Sequence, residues 1–155
     1  MNMSHPPDGL LRDLMSAGIR GELLGPKDVD AMPTLTGAYL LILNLKHAVK
    51  LDRPRAATDP LQPGWYIYAG SARGPGGIRA RLARHFRIDK PMHWHIDQLT
   101  GLKEVQMWAS PVPEGDECEQ VRQLTNSKHF RTACTGFGST DCRQCEGHLL
   151  VWRGE

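Results

Sequence analysis

Thr36-Gly37-Ala38-Tyr39-Leu40-Leu41-Ile42-Leu43-Asn44-Leu45-Lys46 and, further on, Trp65-Tyr66-Ile67-Tyr68-Ala69-Gly70 decide the fold class. The first stretch is a near-continuous apolar run of strand length. The second is short and rich in aromatic residues, which suit a pleated, half-buried surface. Between them Pro54, Pro60 and Pro63 stand among charged residues, which reads as a loop. The two runs therefore predict an antiparallel hairpin with an unusually long connection.

Working outward, Ser71 to Gly77 is a glycine-rich turn, and Ile78 to Arg87 reads as a helix. Ile78, Leu82 and Phe86 form one stripe on it, and the arginines lie mostly off that stripe. Trp94 to Leu99 reads as a short helix or turn, and Val105 to Ala109 as a third strand. Cys118, Val121, Arg122 and Leu124 to Asn126 mark another helix, whose acidic first turn suits its dipole. Gly136 to Ser139 is a turn and His148 to Trp152 a closing strand. The sum is an α+β fold, a small antiparallel sheet flanked by helices. Residues 1–33 read as an N-terminal extension in which Leu10, Leu11, Leu14 and Met15 recur at helical spacing, and residues 34–155 read as the main domain. Whether the extension docks on that domain or moves freely is left open by the sequence.

A chain of 155 residues fits one domain plus an extension and can bury a core without disulfides or metal. At 40% hydrophobic and 23% charged residues it is not the composition of a disordered chain. No apolar run approaches the ~20 residues of a membrane span, and the N-terminus lacks the basic and apolar regions of a signal peptide. A cytoplasmic location is therefore expected, and the four cysteines read as thiols or metal ligands. The net charge of +2 does not call for a nucleic-acid partner, but the charge distribution does. Arg73, Arg79, Arg81, Arg84, Arg87 and Lys90 stand against a single acid, Asp89. Such a cluster, with Ser71 in the preceding turn, suits a phosphate backbone. Glu114, Asp116, Glu117 and Glu119 form an opposing acidic patch.

Three constellations could carry chemistry. The first is Gly37-Ala38-Tyr39 at the start of the first strand, Tyr68-Ala69-Gly70 at the end of the second, and Arg81 with His85 one turn apart on the next helix. Singly, each reads as ordinary packing or a solvated face. In this order and context the chain resembles the GIY-YIG nuclease superfamily. It is most similar to the small standalone Uri-type endonucleases, a branch long described only as a domain of unknown function. The same branch shows a block like His93-Trp94-His95-Ile96-Asp97 and a tail like Gly136 to Cys142, Cys145 and His148-Leu149-Leu150. The resemblance covers Thr36 to Trp152. Ala38 and Ala69 stand where the superfamily's name has isoleucine, a change on buried strand positions that bears on packing rather than chemistry.

The resemblance implies an endonuclease that hydrolyses phosphodiester bonds in DNA, RNA not being excluded. The chain's small size leaves little room for an elaborate specificity surface, which a partner, a dimer or the extension could supply. It implies catalytic roles for Tyr39, Tyr68, Arg81 and His85. Arg81 supplies fixed charge and a bidentate fork for phosphate oxygens. Tyr39 positions the water or relays its proton, for which a phenol titrating near pH ~10 needs a nearby cation. His85 shares the relay or holds a phosphate. The resemblance also implies one glutamate holding Mg²⁺ or Mn²⁺, with Glu117 the first choice, Glu119 the alternative and Asn126 a weak companion. Against this, both acids could simply cap a helix.

The second constellation is His93, His95 and Asp97, which share one face only if extended. They could hold metal or phosphate as a secondary site. The third is Cys142-X-X-Cys145-X-X-His148 with Cys134 and His129 upstream. Cys134, Cys142, Cys145 and His148 would make a zinc set, though one CxxC alone places unligated thiols ahead of Zn²⁺. Two other readings of the whole chain stand beside the nuclease. One is a nucleic-acid-binding module without efficient catalysis, and the other is a zinc-stabilised interaction domain.

Overall fold

The computed structural model describes residues 5–54, 59–138 and 145–154. The order is α1 (Asp8–Ser16), α2 (Pro26–Val29), β1 (Gly37–Leu45), β2 (Gly64–Ala72), α3 (Gly77–Phe86), α4 (Asp97–Thr100), β3 (Gln106–Pro113), α5 (Glu117–Thr125), β4 (Phe130–Thr132) and β5 (Leu149–Trp152). The strands form one five-stranded sheet in the order β3-β1-β2-β5-β4, antiparallel at every pairing. The α+β class is as read from the sequence. Two elements were not anticipated. One is α2, one turn with Pro26 at its start, and the other is β4, whose three residues are too few to show a period. The third strand also begins at Gln106 and runs on through Pro113, past its expected end at Ala109.

β1 is an unbroken apolar run because it is an interior strand, paired with β2 and β3, and is buried on both faces. Tyr39, Leu41, Leu43 and Leu45 point to a front core with Tyr66, Tyr68, Ile78 and Leu82 of α3, Ile96, Leu99 and Phe137. Leu40 and Ile42 point to a back core with Ile67, Ala69, Trp108, Leu124 of α5, and Leu10 and Leu14 of α1. The extension therefore docks. Leu10 is fully buried, the Trp152 indole donates to Asp13 Oδ2 at 2.8 Å, and Leu24 exchanges backbone hydrogen bonds with Ala109 at 2.7 and 2.9 Å. Residues N-terminal to β1 thus supply a wall of the back core. No helix among the described residues is long and apolar enough to cross a membrane.

Candidate active site

Register puts the two tyrosines together. Tyr39 lies opposite Gly70, and Tyr68 lies opposite Leu41, two residues further along β1, so both rings stand diagonally on the front face. A Cβ on Gly70 would come within 2.3 Å of the Tyr39 ring and hydroxyl, so only glycine leaves that ring its place. Gly37 has φ +141°, and a Cβ there would meet the Glu114 amide at 2.4 Å. Both motif glycines thus answer to a steric demand. Ala38 and Ala69, buried at 0% and 1% exposure, point to the opposite face from the tyrosines.

α3 crosses the front face and buries Ile78, Leu82 and His85. The His85 Nε2 lies 2.6 Å from the Tyr39 hydroxyl. Burial pushes the imidazole's pKa down to about 3, helped by the Lys90 cation, so His85 is neutral. Its Nδ1 is buried with no hydrogen-bond partner among the described residues. Orphaned buried N–H groups are rarer than unmatched acceptors, which favours the proton on Nε2. The imidazole then donates to Tyr39, and the tyrosine's own proton is free to point elsewhere. Burial, reinforced by Tyr68, raises the Tyr39 phenol well above its ordinary range, with the Arg81 guanidinium pulling the other way. Burial raises Tyr68 as well. Both tyrosines are therefore neutral hydroxyls at rest. His85, at 0% exposure, is placed to act through Tyr39 and not to hold a phosphate itself.

Arg81 lies one turn before His85. Its guanidinium packs over the Trp94 ring with Cζ 4.3 Å from the centroid, a cation–π contact that restrains the side chain. Tyr39, Tyr68, Gly70, Ser71, Arg81, Trp94, Glu117, Gly138 and His148 line one open cleft of about 170 Å³. Glu117 is the first residue of α5 and the only one of that helix to reach the cleft. Its Oε2 is buried without a hydrogen-bond partner among the described residues. The cleft thus gathers a guanidinium, two phenols and an orphaned carboxylate oxygen. That set can seat a tetrahedral anion on Arg81 while Glu117 attracts a hard divalent cation.

Other expected residues fall elsewhere. Arg84 is not a phosphate contact in this fold. Its fork closes on Asp97 at 2.7 and 3.0 Å, and it also donates to the Pro91 carbonyl at 3.1 Å. Lys90 is likewise committed, donating to the Arg84 and His85 carbonyls at 3.2 and 2.9 Å, where it caps the end of α3. Arg73 is exposed, bonded to the Gly115 carbonyl at 3.2 Å and 3.7 Å from Asp116. Arg79 and Arg87 are exposed. Glu119 is exposed, pairs with Arg122 at 3.4 Å and does not line the cleft, which separates it from Glu117. Asn126, also exposed, ends α5 away from the cleft.

His93, His95 and Asp97 are not gathered into a site. The chain does not stay extended there but turns into α4, so the shared face is lost. Asp97 is fully buried and accepts the His93 and Trp94 amides at 2.9 and 2.8 Å. Burial pushes its carboxyl up, but Arg84 and those two amides outweigh it and hold the pKa at about 2. His95 Nδ1 accepts the Gly138 amide at 2.9 Å and so holds in place a residue that lines the cleft. His93 is exposed, its ring 5.1 Å from that of Trp94. Two cleft residues were missed by sequence reasoning as parts of this site. Trp94 stands between two histidines of more obvious chemistry, and His148 follows a CxxC whose spacing suggests metal ligation, so neither pattern points to this cleft.

The zinc set also differs from expectation. Cys145 and His148 do converge, but with Cys118 of α5 in place of Cys134, whose Sγ lies 3.8 Å from the Thr135 carbonyl. Cys142 lies outside the described residues.

The family model described as "Domain of unknown function DUF123" matches residues 38–155, and the chain belongs to that family. Neither the curated proteins nor the solved structures give a significant match.

Proposed function

We propose that this DUF123 chain is a divalent-metal-dependent endonuclease that hydrolyses phosphodiester bonds in DNA by a single-site mechanism of GIY-YIG type. The observation that carries the reading is that Tyr39, Tyr68, Arg81 and Glu117, drawn from four separate elements, line one cleft. The family match at 38–155 also covers nearly the same stretch as the sequence resemblance. A cytoplasmic location goes with such a substrate.

Arg81 binds non-bridging phosphate oxygens and stabilises the charge that grows on them as water attacks. It forms no ion pair among the described residues, so its charge is available to a bound phosphate. Tyr39 orients the attacking water. With Nε2–H of His85 on its oxygen, its phenolate is stabilised whenever the phenol gives up its proton. Tyr68 lies beside it, wedged edge-on between His85 and Phe137, and offers a second neutral hydroxyl. Glu117 is the residue that would hold the metal, and its orphaned oxygen fits that role. A Mg²⁺ or Mn²⁺ ion bound there would neutralise charge on the phosphate and the leaving oxygen.

The test is cleavage of plasmid, single-stranded and branched DNA, with RNA alongside, in Mg²⁺, Mn²⁺ or EDTA. Wild type, Arg81→Ala and Glu117→Gln are purified identically. Metal-dependent nicking should fall at least ~100-fold in each variant. Equal activity in all three would mark a contaminant and defeat the assignment.

A further inference from the structure

Cys118, Cys145 and His148 come from two places, the first turn of α5 and the segment leading into β5. One ligand atom from each lies within 4.8 Å of the others. Cys118 and His148 are buried and Cys145 is half-buried. The Cys118 Sγ to His148 Nε2 distance is 3.8 Å. With Zn–S near 2.3 Å and Zn–N near 2.0–2.1 Å, the S···N edge of a tetrahedron is about 3.6 Å. The pair therefore already stands at nearly the separation that a shared zinc ion imposes.

We propose that Cys118, Cys145 and His148 bind one zinc ion beside the cleft. Two thiolates and an imidazole are the donor set that selects zinc over the hard ions suited to Glu117. The surroundings favour a cation and its thiolate ligands. Cys118 sits in the first turn of a helix, where the dipole stabilises a thiolate. Asp116 and Glu117 place their carboxylates within the same 4.8 Å of Cys118. On binding, each thiol passes its proton to solvent, and one further donor completes the four-coordinate site. The ion would tie the start of α5 to the approach to β5. Since Glu117 adjoins Cys118 and His148 lines the cleft, it would also fix the wall that carries the carboxylate.

The test uses the full chain, reduced, loaded with zinc and desalted. One zinc per chain is expected by elemental analysis. Replacement by Co²⁺ should give thiolate-to-cobalt charge-transfer absorption and tetrahedral visible bands. Cys145→Ser, a near-isosteric change at a half-buried position, should weaken zinc binding at least ~100-fold, beyond the ~10–100-fold loss typical of outer-shell changes. Cys134→Ser should bind as wild type does. The proposal is overturned if the reduced chain retains no zinc and gives no cobalt–thiolate band. It is equally overturned if Cys145→Ser binds like wild type, or if mass analysis finds Cys118 and Cys145 joined in a disulfide. Metal content is read without any cleavage assay, so its failure is separate from failure of the nuclease reading.

Discussion

Arg81 and Arg84 stand one turn apart on α3 and press on the same indole, with Cζ 4.3 and 4.2 Å from the Trp94 centroid. Sequence makes them look alike, two arginines off an apolar stripe. Their counter-charges separate them. Arg84 is closed on a carboxylate of 0% exposure, and that carboxylate also holds the chain entering α4. Arg81 meets no carboxylate among the described residues and faces the cleft. The Arg84 charge is spent on the fold, while the Arg81 charge is kept for whatever enters. A basic cluster is thus two populations, told apart by whether the protein supplies the partner.

The sharpest way to break this comparison is to delete each guanidinium. Arg84→Ala leaves the Asp97 carboxylate buried without its ionic partner, which costs about 3–5 kcal/mol in comparable cases. The two backbone amides still on Asp97 place the expected loss toward the lower end. Arg81→Ala should cost under ~1 kcal/mol in urea unfolding yet remove at least ~100-fold of any metal-dependent cleavage. If the two variants lose stability equally, the division of labour on α3 does not exist.

What the sequence disclosed follows the same line. Local pattern was enough for β1, β2, α3 and α5, because period and composition act within one element. Tyr39, Tyr68 and Arg81 stood out only through the resemblance of their order to a known family's motifs, and the structure gathers them at one cleft. Glu117 could be preferred to Glu119 only in part, since helical spacing says that the two diverge without saying which one meets the cleft. The remainder depended on contacts between distant residues. Nothing near Asp97 announces Arg84 as its partner, and nothing near Cys145 announces Cys118. The block at 93–97 misled because its shared face required an extended chain, whereas Asp97 folds back to bind the amides of His93 and Trp94. The docking of α1 was undecidable because its apolar stripe does not reveal that the sheet's back face lacks a cover.

Acid titration sharpens the comparison further, since the Arg84 side and the Tyr39 side of α3 respond in different windows. In the unfolded chain His85 takes up a proton near its ordinary pKa of 6.5, but in the folded protein not until about 3. Between those values the unfolded state binds more protons, so this stability is full above about pH 6.5 and drains as pH falls toward 3. Asp97 has an ordinary value of 3.8 and a folded value of about 2. Its contribution is full above about pH 4 and is lost only below it. Unfolding free energies across pH 3–7 should therefore decline from about pH 6.5, by a few kcal/mol in all. His85→Phe should remove the upper part of the decline, and Arg84→Met should flatten the lower part. A wild-type profile level down to pH 4 would mean that His85 is not held neutral, and the Tyr39 hydrogen bond would lose its basis.

The smallest expected effect lies at the surface. Arg79 and Arg87 are exposed and form no ion pair among the described residues, whereas the Lys90 ammonium is spent on the Arg84 and His85 carbonyls. A cation that meets a DNA phosphate releases a counterion and adds about 0.9 to the steepness of log K against log salt. Arg79→Ala and Arg87→Ala should each weaken duplex binding a few-fold at low salt and each reduce that slope by about 0.9. Lys90→Met should lower stability and leave the slope as it was, because its charge already has partners in the fold. A slope that falls equally in all three variants would mean that only net charge counts, and the distinction drawn at Trp94 would not extend across the basic face.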